Sequence, residues 1–423
     1  MQDTSTTETS ESSTAASIER RIDRVMRNLR TSLGAVLGSL PGDPQRPQEL
    51  ARLLKLNKTL SSRLSRAVRT PDPLASAHLM PGPEGLRIVL KAAARKGVSR
   101  KSIVAAEGAV AAFDQLIRRD VGDRDALDAI ISDALPHARQ RFEMYNKQAM
   151  CKAVANLKGV TANVCLRTYL VHPGADPVRH DYAMILGLLG LRRLRPRAVA
   201  QVSNVHLTTN GRTDARHTLD GVAVEGIDGL LLKPYCSLPL SKLVIRHVGA
   251  SMHYVLEGEQ MGPNSAVDVV IAEVNRAFFK RHQLPGGRRR SAGSAEVEQP
   301  VKTLVFDMLL HEDVWPGCEP ELNMYDMVVR GPADPNDPSR DIDRLELAES
   351  IQFLGHGVTR FRVAEIPNYL EMLRNVCGKM GWDPEKFRGY RCRIDYPFYS
   401  SQICMVFDPP EAPSQAPSAP AST

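Results

Sequence analysis

The chain lacks any long hydrophobic run. The longest apolar stretch in its 423 residues, 182–191, is interrupted by glycine and is about half of the ~20 residues a membrane-spanning helix needs. The first 17 residues have neither the positive start nor the apolar core of a secretory signal. They read as a polar disordered tail, and the Pro-, Ala- and Ser-rich stretch 409–423 reads as another. Seven cysteines are present, an odd number, widely spread and without a C-x-x-C pair. That argues against a zinc knuckle or a dithiol redox site and for buried free thiols. The phosphate loop G-x-x-x-x-G-K-S/T, the elbow G-x-S-x-G, the zinc pair H-E-x-x-H and a G-x-G-x-x-G after a strand are all missing, so those chemistries lose their usual sequence support. These absences point to a cytoplasmic protein, not an enzyme, with no cofactor, no metal and no membrane partner.

What is present is unevenly placed charge. The formal net charge is +7, modest for this length. Between Ile18 and Lys101, however, 18 Lys and Arg stand against 6 Asp and Glu, a local net of +12, so the rest of the chain carries −5. A basic excess concentrated in one module suits contact with a polyanion; a charge run that merely faces water is the plainer alternative.

Periodicity divides the chain into two textures. Ile18, Ile22, Val25, Met26, Leu29, Leu33, Val36, Leu37 and Leu40 recur at steps of three and four, with Arg20, Arg21, Arg24, Arg27 and Arg30 mostly between them. This predicts an amphipathic helix with an arginine-rich outer face, stopped by the Pro-Gly-Asp-Pro breaker at 41–44. Further helices are predicted over 47–55, 58–69, 83–96, 99–120, 125–135 and 136–158, bounded by Pro and Gly. From Val160 onward short β-rich runs take over, at 164–171, 198–207, 229–232, 243–248, 253–256, 301–310 and 324–329. Helices are expected there at 266–281 and 366–380, a turn at Thr209-Asn210-Gly211, and a closing hairpin from 391–395 and 402–407. The stretches 286–294 and 331–341 read as exposed loops. The fold class expected is therefore α+β multidomain: an all-α module at 18–100, a helical connector at 101–158 and a mixed α+β domain at 160–408.

Residues 46–69 hold two helices too short to be stable alone, joined by a tight turn. Leu50, Ala51 and Leu54 offer one packing face, and Leu60, Leu64, Ala67 and Val68 the other. On the opposite side of the second helix lie Asn57, Lys58, Thr59, Ser61, Ser62, Arg63 and Arg66. Asn and Arg can pair bidentately with purine edges, Ser and Thr reach phosphates, and a helix N-terminus favours an anion.

The run Leu50-Ala51, Leu54, Leu56, Lys58-Thr59, of form L-A-x-x-L-x-L-x-K-S/T, resembles the helix-turn-helix of bacterial transcriptional regulators of the IclR-like and MarR-like groups. The resemblance covers about 25 residues. Lys55 stands where the turn usually holds glycine, Ser61 where valine is frequent, and more helix follows in place of a β-wing. The resemblance implies that the seven polar residues are DNA-binding and that the partner is double-stranded DNA, bound by a homodimer. The C-terminal domain would then sense a small-molecule effector or assemble the dimer.

Other clusters are weaker. His253 and Glu257 could lie along one strand like metal ligands, and His311-Glu312-Asp313 with Asp307 could serve acid-base or metal work; ordinary strand polarity is the simpler reading of both. The run Arg192, Arg193, Arg195 and Arg197 could hold an anionic ligand or a DNA backbone, or be a solvated strand edge. Trp382, Tyr390, Tyr396, Phe398 and Tyr399 could line a pocket or a dimer seam, although core packing is the commoner fate of aromatics. Two other readings of the whole chain stay open: an assembly protein whose basic helices grip a protein partner, and an enzyme with a cryptic site in the C-terminal domain.

Overall fold

A computed structural model describes residues 5–41, 46–206, 216–222, 229–237, 243–248, 251–256, 261–283 and 289–412. The expected turn at Thr209-Asn210-Gly211, the metal candidate Glu257 and residues 413–423 lie outside these. The chain forms two compact units, Met1–Glu143 and Met144–Thr423.

The first unit is helical: α1 (Ser5–Gly38), α2 (Pro47–Leu54), α3 (Lys58–Arg69), α4 (Pro73–Leu79), α5 (Pro83–Arg95), α6 (Arg100–Gln115) continued by a π-turn at Leu116–Val121, α7 (Arg124–Ala134), and the start of α8 (Pro136–Lys158). Local chemistry sets most starts. Pro47, Pro73 and Pro83 occupy first helical turns, where the missing N–H costs nothing. The side chains of Asn57, Asp72, Ser99 and Asp123 each accept from a backbone N–H of the helix they open. The helix α1 reaches back to Ser5 rather than starting at 18, because neither Gly nor Pro interrupts the polar segment expected to be a tail.

One apolar core runs from Ile22 on α1 through Leu50, Leu64, Leu86, Val89 and Phe113 to Ile131 and Ala138. Residues past 100 thus share the core of those before it, and the predicted division between module and connector has no counterpart in the packing.

The second unit holds the rest of α8 and strands β1 (Val160–His172), β2 (Arg179–Arg193), β3 (Ala200–His206), β4 (Arg216–His217), β5 (Leu243–Val248), β6 (Ser251–Leu256), β7 (Val267–Lys280), β8 (Ser291–Glu296), β9 (Val301–His311), β10 (Glu321–Asp326), β11 (Gln352–His356), β12 (Phe387–Asp395) and β13 (Ser401–Phe407), with helix α9 (Tyr369–Met380) between β11 and β12. Seven strands form the main sheet in the order β11-β12-β9-β1-β2-β7-β4. The pair β1–β9 is parallel and its other pairings are antiparallel. Among the described residues, the remaining strands form two three-stranded sheets, β10-β13-β8 and β3-β6-β5.

The period-2 alternation of β1 and β9 splits the interior into two layers. Leu166, Leu170, Val305 and Leu309 face α9 with Met372, Leu373 and Val376. Tyr169, Val171, Leu304, Phe306, Met308 and Leu310 face β13 with Ile403, Met405 and Phe407.

Three sequence expectations are corrected here. Residues 267–280 are strand β7, not helix. Their Val- and Ile-rich run is buried on both sides of the sheet and pairs with β2, so tertiary pairing overrides the weak helical pattern. The segment 391–407 is no hairpin: β12 belongs to the main sheet and β13 to the β10-β13-β8 sheet, and the chain between them crosses from one to the other. Finally, the supposed loop 286–294 contributes its last residues to β8, whose small side chains admit a close approach. A Cβ on Gly293 would collide with the Met308 sulfur.

Candidate nucleic-acid interface

The helix pair α2–α3 is fixed by its turn. Lys55 takes the left-handed conformation (φ 54°, ψ 45°), and the N–H groups of both Lys55 and Leu56 donate to the Ala51 carbonyl, closing α2. A side chain pays roughly 1 kcal/mol for that conformation. Leu50 and Leu54 from α2 and Leu64 and Ala67 from α3 are buried in the shared core, with Leu56, Leu60 and Val68 partly covered.

The seven predicted residues of α3 separate into three groups. Asn57, Lys58, Thr59 and Arg66 are exposed and Ser62 is half-buried. Asn57 has a structural duty as well, its Oδ1 accepting from the Thr59 N–H at 2.7 Å. Ser61 is fully buried and its hydroxyl donates to the Asn57 carbonyl at 3.1 Å, so it lies on the packing side and not on the polar face. The reason is phase: Ser61 stands three residues before Leu64 and four before Ser65, both buried.

Arg63 is exposed over part of its surface, but its guanidinium turns to the end of α4. It donates to the carbonyls of Leu79 and Met80 at 3.4 and 3.3 Å, beside Arg124, which donates to those of Ala77 and His78. Burial, together with the nearby Arg124 charge, lowers the Arg63 pKa. Such capping of a helix C-terminus is a stabilising use of arginine. No local signal in 58–69 announces it, since the accepting carbonyls lie 16 and 17 residues on.

The arginine face of α1 is also more committed than its pattern suggests. Arg21 pairs with Asp120 at 2.8 Å, Arg27 with Asp23 at 2.8 Å, and Arg30 reaches the Pro71 carbonyl at 2.5 Å. By contrast Lys58 and Arg66 have no carboxylate partner among the described residues, and α3 contains no acidic residue. After α3 the chain enters α4, and no strand occurs among the described residues of the first unit.

In the second unit the geometry separates the other candidates. Among the described residues, His311, Glu312 and Asp313 are the one group whose potential ligand atoms lie within 4.8 Å of one another. Their groups are already engaged: the His311 Nδ1 accepts from the Asp313 N–H at 3.2 Å and Glu312 pairs with Lys386 at 2.9 Å. The His253 ring contacts Gln201 at 3.2 Å.

Asp307 is not part of that group. It is fully buried and register explains why: Thr168 on β1 and Arg391 on β12 stand abreast of it on the two neighbouring strands. Arg391 grips both carboxylate oxygens, at 2.8 and 2.7 Å, and also donates to the carbonyls of Phe361 and Arg362. Tyr369 of α9 donates to Asp307 at 2.6 Å and meets the Thr168 hydroxyl at 2.8 Å. Burial disfavours the Arg391 charge, but the Asp307 bonds and charge outweigh this and raise its pKa; burial and then Asp307 push Tyr369 well up. With each member bonded, this network pins α9 to the sheet. A lone Asp within the apolar run of β9 was the available sequence signal.

Of the aromatics, Trp382 and Tyr390 are core residues, as the simpler reading expected. All seven cysteines are free thiols. No helix among the described residues is long and apolar enough to cross a membrane. No protein-family model, curated protein or solved structure matches this chain.

Proposed function

We propose that this protein is a DNA-binding transcriptional regulator, in which α2 and α3 act as a helix-turn-helix and α3 lies in the major groove. The observation that carries the reading is the outer side of α3. Lys58 and Thr59 stand exposed at the capped helix start and Arg66 stands exposed in the last turn, with no acid on the helix and, among the described residues, no carboxylate neutralising either cation. Asn57 and Ser62 flank them, and Arg63 supports the edge from its seat on α4. Such a face supplies charge-assisted contacts to phosphates and hydrogen-bonding groups for base edges. A single helix-turn-helix gains affinity by binding two half-sites, so the reading includes a homodimer, with the second unit serving effector sensing or assembly.

The test is selection of bound fragments from random duplex DNA with the purified chain, then anisotropy titrations over a range of salt. The Lys58→Gln/Arg66→Gln variant is expected to bind about tenfold or more weakly, with the log–log salt slope reduced by about 2, at unchanged helicity. No enrichment of any sequence, or wild-type affinity in the variant, overturns the reading. Binding that ignores salt would favour instead an assembly protein whose basic helices hold a protein partner.

A further inference from the structure

The arginine run that begins at the end of β2 does not act as one patch. The Arg193 side chain is buried and donates to the carbonyls of Ala198 and Leu256, and Arg195 donates to that of Leu157. Arg192 lines a cavity that cations from two other elements also line.

That cavity is an open groove of about 510 Å³ lined by α8, β1, β2, β9 and the turn after β12, a volume within the range of small-molecule sites. Its floor follows from register. Arg192 pairs directly with Thr161 on β1, and the parallel β1–β9 register sets Lys302 one strand further over on the same face. One wall is the second-unit part of α8, where Tyr145, Gln148, Ala149, Lys152, Ala155 and Asn156 recur at helical spacing. Tyr396, at φ 51°, also lines the groove, and its N–H donates to the Lys302 carbonyl at 2.7 Å.

Three features then coincide. Lys152, Arg192 and Lys302 line the groove from three elements, and no carboxylate lines it among the described residues. The Thr161 hydroxyl already donates to the Pro300 carbonyl at 3.0 Å. Two tyrosines border the same space, Tyr145 being 70% exposed. Cations held without a counter-charge attract an anion, and an exposed aromatic ring next to them supplies a stacking surface for a planar group.

We infer that this groove binds a mononucleotide, the phosphate held by Lys152, Arg192 and Lys302 and the base set against Tyr145 or Tyr396. The inference uses the second unit alone and does not depend on DNA binding by the first. If both hold, it names the effector class that the second unit senses.

The experiment is calorimetric titration of the full chain with the common nucleoside 5′-monophosphates, with inorganic phosphate and with the matching nucleosides. At least one nucleotide is expected to bind more tightly than about 1 mM and at least tenfold more tightly than phosphate or its nucleoside. Arg192→Gln/Lys302→Gln should weaken that nucleotide by about tenfold or more, and at least one of Tyr145→Leu and Tyr396→Leu should weaken it while leaving phosphate unchanged. Lys58→Gln/Arg66→Gln should bind it like the wild type, which separates this site from the proposed DNA interface. Tryptophan fluorescence matching the wild type confirms that the second-unit variants are folded, and unchanged helical circular dichroism does so for Lys58→Gln/Arg66→Gln. No saturable nucleotide binding, equal binding of phosphate and nucleotide, or undiminished affinity in Arg192→Gln/Lys302→Gln overturns the inference. So does affinity for oligothymidylate that rises steeply with strand length, which would mark the groove as part of a track for single-stranded nucleic acid.

Discussion

Replacing Asp307 by alanine tests whether the buried network holds the second unit together. Arg391 keeps only its bonds to the Phe361 and Arg362 carbonyls once the carboxylate is gone, and its side chain is 8% exposed, so its charge cannot recover water. Removing one partner of such a pair costs about 3–5 kcal/mol. Tyr369→Phe deletes both hydrogen bonds of the hydroxyl, the one it donates to the Asp307 carboxylate and the one it shares with Thr168, and should cost about 2–4 kcal/mol. Combining Asp307→Ala with Arg391→Met removes both charges together, and the double variant should be more stable than Asp307→Ala alone. The chain provides a selective probe, because its two tryptophans, Trp315 and Trp382, both lie in the second unit and are buried in the layers on its two sides. Urea unfolding followed by their fluorescence therefore reports that unit without interference from the helical one. With a slope of about 3 kcal/mol per molar urea, Asp307→Ala should move the midpoint down by about 1–1.7 M. A shift below about 0.3 M, or a double variant less stable than Asp307→Ala, would refute the argument that an unpaired Arg391 is the source of the loss.

Two further outcomes follow from local geometry. Lys55→Gly should stabilise the helical unit by up to about 1 kcal/mol, since glycine adopts the left-handed turn without a Cβ penalty; a lower melting temperature by circular dichroism would contradict this. The second unit should weaken in mild acid. Burial, with Arg281 and His282 close by and Asp181 opposing, holds His180 down to about 4, below its unfolded value near 6.5. The unfolded chain thus takes up the proton first. Stability is complete above about pH 6.5 and falls as pH drops towards 4, by at most about 1.4 kcal/mol per unit for this one group. His172 and His311 are shifted in the same direction by burial, so His180→Gln should flatten the tryptophan-monitored decline without abolishing it. An unchanged decline would remove His180 as a contributor.

Most of the helical half was legible because its signals are local; the exception is α4 at Pro73–Leu79, where Pro71 and Pro73 read only as the end of the helix before it. Proline in first turns, Asn57, Asp72, Ser99 and Asp123 as caps, and apolar residues at steps of three and four act within a few residues of where they stand. The segment 267–280 misled for the opposite reason: a Val- and Ile-rich run carries no record of its pairing with β2, some 90 residues earlier. On α3 the polar residues themselves were visible, but which of them face outward was not. Ser61 is turned inward by the phase of the packing, and Arg63 is drawn to carbonyls at the end of α4.

The sequence by itself determined the two textures, the concentration of positive charge and the positions of most helix ends, since composition and near-neighbour hydrogen bonding need no knowledge of the fold. Only the tertiary structure decided which charges are spent. It abuts Thr168, Asp307 and Arg391 through strand register, ties up Arg21, Arg30 and Arg63, and leaves Lys152, Arg192 and Lys302 facing one groove. A charged side chain takes whichever partner lies within reach, and that reach is measured in ångströms through space rather than in residues along the chain.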